Sequence, residues 1–106
     1  MLCFVLYNET DSAITFERRS LKRTGQWSEW KKAEIQSNTR GRFQSEAGAV
    51  AVQVRYEAGG APKVVNVDGQ VFRGGGRNPT SADIDCWYGF KGAGAKLALK
   101  RIPRKQ

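Results

Sequence analysis

Ala49-Val50-Ala51-Val52-Gln53-Val54-Arg55-Tyr56 is the stretch on which the fold turns. Its large apolar side chains recur at every second position, the period of a strand rather than of a helix. Val50, Val52, Val54 and Tyr56 fall on one side, and Ala49, Ala51, Gln53 and Arg55 on the other, which predicts a half-buried strand. Toward the N-terminus, Leu2 to Tyr7 is an apolar run that reads as a buried first strand. A turn over Asn8 to Ser12 follows, and alternation resumes from Ala13 to Glu17 through Ile14 and Phe16. Toward the C-terminus, Val64 to Val67 and Gln70 to Arg73 flank Asp68-Gly69, a pair suited to the two positive φ angles of a type I′ hairpin. Ile84 to Phe90 and Lys96 to Arg101 supply two more strands. No window of eleven residues keeps a helical apolar stripe without a Gly or β-branched interruption. Short strands, Gly-rich turns and no helical spacer predict an all-β chain: a single antiparallel β-sandwich over residues 1–102, with a frayed basic tail at 103–106.

Composition bounds the function. At 106 residues, with 40% hydrophobic and 26% charged side chains, the chain has the size and make-up of one small folded domain. It has no histidine, which excludes a Ser-His-Asp or Cys-His nucleophile, imidazole acid–base chemistry and any His-based metal site. Two cysteines, Cys3 and Cys86, are too few for a disulfide scaffold or a Cys-only zinc site, and both read as buried free thiols. Leu2 to Tyr7, the longest apolar run, is too short to span a bilayer and lacks the charged flank and cleavage site of a signal peptide. The expectation is a cytoplasmic or non-classically released protein with no cofactor and no metal.

The net charge of +8 is the one global feature that points to a partner. It is uneven: residues 18–42 hold eight bases against Glu29 and Glu34, and residues 89–106 hold six bases and no acid. Either segment suits an anionic surface, and either could equally be a solvated face that keeps the protein soluble.

Other motifs carry less. Gly74-Gly75-Gly76-Arg77 has the glycines of a phosphate loop, but Asn78-Pro79 and a strand pattern follow where a helix N-terminus is required, so a hairpin tip is expected. Asp83 and Asp85 would share one face of a strand, more readily as solvated partners of Arg73 and Arg77 than as a catalytic pair. Trp27-Ser28-Glu29-Trp30 is similar to the tryptophan ladders of thrombospondin repeats and the WSxWS box of cytokine receptors. It lacks the cysteine framework of the first and has Lys31 where the second closes with Ser, so neither assignment is adopted. On a regular strand residues three apart oppose each other, so one of the two rings is expected in the core and one exposed beside Lys31 and Lys32.

Four segments together resemble the aegerolysins and the actinoporin-like proteins, small β-sandwich cytolysins. These are Val5-Leu6-Tyr7-Asn8-Glu9-Thr10, Gly25-Gln26-Trp27, Ala47-Gly48-Ala49-Val50-Ala51-Val52 with Tyr56, and Asp85-Cys86-Trp87-Tyr88-Gly89. The resemblance implies a two-sheet sandwich that binds membrane lipid headgroups, with Trp87, Tyr88 and, less directly, Trp27 as contacts. The chain is shorter than typical members of either group, lacks the amphipathic N-terminal helix of actinoporins, and has no Pro in its Asp-Cys-Trp segment. Headgroup binding is therefore expected rather than pore formation.

The reading that results is a non-enzymatic binding module for membrane lipid headgroups. Trp27, Trp30, Trp87 and Tyr88 would meet the interface, with Lys31, Lys32, Arg73, Arg77 and Lys91 attracting it. The alternative is a nucleic-acid-binding β-domain that uses the same bases on phosphates and the same rings on bases. A third is a protein-interaction or self-assembling module working through strand edges.

Overall fold

The computed structural model describes residues 1–71 and 80–105. Nine strands carry most of the chain: β1 Leu2–Asn8, β2 Ile14–Lys22, β3 Lys31–Ile35, β4 Arg40–Gln44, β5 Ala49–Ala58, β6 Ala61–Val67, β7 Gln70–Val71, β8 Trp87–Lys91 and β9 Ala98–Ile102. Among the described residues there are also two single 3-10 turns, Ser81–Asp83 and Gly94–Lys96. The strands form two packed sheets, one ordered β4-β1-β8-β9 with β7 beside the start of β1, the other ordered β3-β2-β5-β6. The fold is all-β.

Alternation dictates the core. Leu2, Phe4 and Leu6 of β1, Tyr88 and Phe90 of β8 and Leu99 of β9 meet Ile14, Phe16, Ile35, Val52, Val54, Tyr56 and Val67 of the second sheet in one buried cluster. Rings organise its centre, with Phe16 edge-on to Phe43 at 5.3 Å and Tyr56 edge-on to Phe90 at 5.4 Å. Two odd-numbered residues of β1, Cys3 and Val5, are buried as well, and Tyr7 is partly so. Cys3 and Val5 join Ile84 and Trp87 in a second cluster on the outer side of the first sheet. A strand covered on both faces must be apolar throughout, which is why Leu2 to Tyr7 reads as a run and not as an alternation.

Val50 departs from the expected inward set and is exposed. Leu21 pairs with Ala51 and Lys22 with Ala49, so the ladder skips Val50 and a bulge turns it out. Asp68-Gly69 is a second departure. It does not close a hairpin, because Val67 pairs with Val52 in one sheet whereas Gln70 and Val71 pair with Cys3 and Leu2 in the other. The dipeptide is a crossing between sheets, fastened where the Asp68 N–H donates to the Tyr88 hydroxyl at 2.9 Å. Gly59-Gly60 does close a two-glycine hairpin, with φ of 60° and 83° between the paired Ala58 and Ala61. Among the described residues one pair, β1 with β8, is parallel, and the other strand pairs are antiparallel. This differs from a wholly antiparallel sandwich. It follows from burial: the most apolar strand takes the middle of its sheet, beside a strand that arrives much later in the chain.

Asn8 locks the first turn. Fully buried, it donates from Nδ2 to the carbonyls of Ser12 (2.8 Å) and Ile35 (3.1 Å), and its Oδ1 accepts from the N–H and hydroxyl of Thr10. Every polar atom of its side chain is thereby partnered. The tail expected to fray instead reaches back over the first sheet: Arg104 donates to the Ala82 carbonyl, and Lys105 pairs with Glu9.

Candidate functional site: a basic sheet face and a tryptophan–arginine ladder

On β4, residues opposite Val5 and Tyr7 share their outward side, so Arg42 and Arg40 stand on the outer face of the first sheet. On β8 and β9, Lys91 and Lys100 occupy the same face by the register that pairs Gly89 with Lys100 and Trp87 with Ile102. The tail adds Arg104 and Lys105, whose ammonium lies 4.7 Å from the centre of the Tyr7 ring. The topology β4-β1-β8-β9 thus gathers bases from both charged segments of the sequence onto one face. All six are exposed, against Glu9 and Asp85 at its margin. Lys105 pairs with Glu9 and Arg104 with Asp85 at 3.3 Å. The pKa of the Lys105 ammonium is held above its ordinary range by the hydrogen bond it donates to the Glu9 carboxylate.

The opposite surface of the molecule is the outer face of the second sheet, and there Trp27 and Trp30 form a ladder with two arginines. The Arg19 guanidinium lies 4.4 Å from the centre of each ring, and Arg55 lies 4.3 Å from Trp30. Each guanidinium is also held edgewise: Arg19 donates twice to Gln53 Oε1 (3.0 and 2.8 Å), and Arg55 pairs with Glu17 at 2.9 Å. Neither tryptophan enters the core; both are half-buried. The cause is a register irregularity. From Arg18 to Leu21 β2 advances three residues, whereas the facing segment advances four from Trp27 to Lys31. The extra residue reverses the alternation, so residues three apart come to one face.

Of the nine residues expected at the site, few come together. Trp87 is wholly buried, its Nε1–H donating to the Ile84 carbonyl at 2.7 Å, with Arg40 stacked 5.5 Å over the ring. Tyr88 points inward and its hydroxyl accepts from Asp68. These two correct the expectation of interfacial rings: the apolar covering of β1 required them inside. Trp27 and Trp30 have their faces engaged by guanidinium groups, Lys32 lies on the same face as the ladder, and Lys31 pairs with Glu46 at 3.5 Å. Of the seven that lie among the described residues, only Lys91 joins the basic face. Arg73 and Arg77, with the Gly74-Gly75-Gly76 loop, lie outside the described residues. Arg40, Arg42, Lys100, Arg104 and Lys105 were missed as site residues. The Arg40-x-Arg42 spacing was the signal that could have found them, but only once β4 was known to be a strand.

Asp83 and Asp85 do not share a strand face, because β8 begins at Trp87. The Asp83 carboxylate accepts from the N–H and hydroxyl of Thr80 and closes the 3-10 turn. Among the described residues no group of three or more Cys, Asp or Glu side chains is placed to hold a metal ion, and no helix is long and apolar enough to cross a membrane. Cys3 and Cys86 are free thiols, each with its pKa pushed up by burial. Compared with protein-family models, with curated proteins and with solved structures, the chain matches none.

Proposed function

We propose that the protein is a non-enzymatic module that binds membrane lipid headgroups, through the outer face of its first sheet. The observation that carries this reading is the convergence of Arg40, Arg42, Lys91, Lys100, Arg104 and Lys105 on one exposed face. Each base near an anionic leaflet contributes about 1 kcal/mol, so a few in one plane suffice for reversible association. A sheet face is broad and shallow, which suits an array of headgroups. Base stacking needs open aromatic faces, and here Tyr7 lies under Lys105 and Trp87 under Arg40. The burial of Trp87 and Tyr88 also shifts the reading from ring-mediated recognition of a zwitterionic headgroup to charge-driven binding of anionic lipid.

The test is co-sedimentation at low salt with phosphatidylcholine vesicles containing or lacking phosphatidylserine. Binding is expected only with the anionic lipid, falling as salt rises, and lost in the double variant K91E/K100E. Equal binding by wild type and variant would overturn the reading, as would a preference for a single-stranded oligonucleotide over the vesicles.

A further inference from the structure

Where β2, β4 and the start of β3 approach each other between the two sheets, a cleft of about 220 Å³ opens. Alternation puts Arg18 on the inward side of β2, between Phe16 and Ser20, where a cation has no place in an apolar core. Its guanidinium sits 5.4 Å over the Phe43 ring and donates from Nη1 to the Gln44 carbonyl at 2.9 Å. The Nε–H, on the other edge of the fork, is buried and finds no acceptor among the described residues. Burial lowers the pKa of Arg18, and no carboxylate offsets that effect. A buried donor without an acceptor is costly, and more so on a charged group. The one acid lining the cleft is Glu46, and Lys31 holds it at 3.5 Å.

Two of the three serine hydroxyls around the cleft are committed elsewhere. Ser28 accepts from the Ser20 N–H and donates to the Glu29 carbonyl, and Ser45 accepts from the Leu2 N–H and donates to the Glu46 carbonyl. Recognition there falls to Arg18 and Lys31 with the Ser20 hydroxyl, since Arg19, which also lines the cleft, is held by Gln53 and the two indoles. The volume is below the roughly 300 Å³ at which pockets begin to take whole organic ligands, but ample for one tetrahedral oxyanion.

We infer that this cleft is a phosphate-group site, in which the Arg18 guanidinium and the Lys31 ammonium grip one oxyanion that takes the place of Glu46. A guanidinium donates charge-assisted hydrogen bonds to such a group, and the lysine supplies a second point charge. The phosphate comes from a lipid headgroup or from a soluble phosphomonoester, since the chemistry is shared. The site is separate from the basic face of the first sheet and stands whether or not that face binds membranes.

Titration calorimetry of the whole chain in chloride buffer, with inorganic phosphate as the probe, tests it. One saturable site is expected, weakened about tenfold or more in R18M, as loss of a charge-assisted hydrogen bond requires. E46Q removes the competing carboxylate and is expected to tighten binding about threefold or more by the same arithmetic. Absence of saturable binding, or the same affinity in wild type and E46Q, overturns the site; E46Q and K31A keep the test open if R18M does not fold. Glycerol phosphate and phosphatidic acid vesicles identify the source: tighter binding to vesicles that E46Q enhances assigns a headgroup, and equal binding assigns the soluble ester. K91E/K100E is expected to leave phosphate binding intact, so failure of the membrane reading is distinguishable from failure of this one.

Discussion

The indole N–H of Trp87 donates to the carbonyl of Ile84 at 2.7 Å, and that bond fixes a ring expected at a membrane interface inside the protein. Trp87→Phe removes the donor, strands a buried carbonyl and leaves unfilled volume. Urea titration is expected to show a loss of about 2–3 kcal/mol, with vesicle association unchanged at temperatures where the variant is folded. Loss of vesicle association without loss of stability would instead make Trp87 a contact residue.

Arg19→Lys keeps the charge of the ladder but not its plane. An ammonium cannot stack on two indoles and grip Gln53 edgewise together. A loss of about 1 kcal/mol is expected, accompanied by a change in near-ultraviolet circular dichroism from Trp27 and Trp30. An unchanged spectrum would show that the ladder does not persist in solution.

Two glycines separate crowding from backbone strain. A Cβ on Gly69 would stand 2.5 Å from Leu2 Cβ and 3.3 Å from its Cα, so Gly69→Ala must displace β1. A Cβ on Gly25 would meet nothing within 4 Å, and only its φ of 89° is unfavourable. Gly25→Ala is expected to cost about 1 kcal/mol and Gly69→Ala about 2–3 kcal/mol. For a chain of this size each kcal/mol lowers Tm by about 4–8 °C, so thermal melts resolve the order, which reversed values would contradict.

Cys3 and Cys86 have thiol pKa values raised by burial, so the native state holds its thiol protons more tightly than the unfolded chain does. Their contribution is complete below the unfolded value of about 8.5 and is lost as pH rises from there through the folded values. Lys105, raised by Glu9, acts in the same direction at higher pH. The denaturation midpoint is therefore expected to fall between pH 8 and pH 10 by more in wild type than in a C3A/C86A variant. Parallel pH profiles would rule the thiols out as the cause.

The sequence disclosed the strands whose apolar residues alternate against one core or run continuously between two. β1 and β5 were legible on those grounds, and so was the Asn8 turn, whose residues satisfy themselves locally. β3 and β4 were not. They are short edge strands whose exposed Lys31, Lys32, Arg40 and Arg42 mask the inward Ala33, Ile35 and Phe43. β2 was cut short at Glu17 for the same reason, since Arg18, Arg19 and Lys22 interrupt the apolar pattern that Ser20 continues weakly.

The site was less legible than the fold because it depends on pairing. Nothing local to Arg40 or Lys100 announces that β4 and β9 flank the same two strands. The Trp27–Trp30 spacing misled for a related reason: one inserted residue in a facing strand reverses which side chains share a face, and such an insertion leaves no mark on composition.

The parallel pairing of β1 with β8 has a consequence for how the chain comes to be folded. Val5 lies beside Trp87, so the central strand of the first sheet stays half-paired until β8, some eighty residues later, is present. The second sheet, built mainly from hairpin neighbours, can assemble early, but the first closes only across the longest separations the chain offers. A polypeptide still being synthesised must therefore carry its most apolar segment uncovered, the interval in which aggregation competes with folding. The surplus of positive charge then has a second use: mutual repulsion holds incomplete chains apart until the last strands arrive.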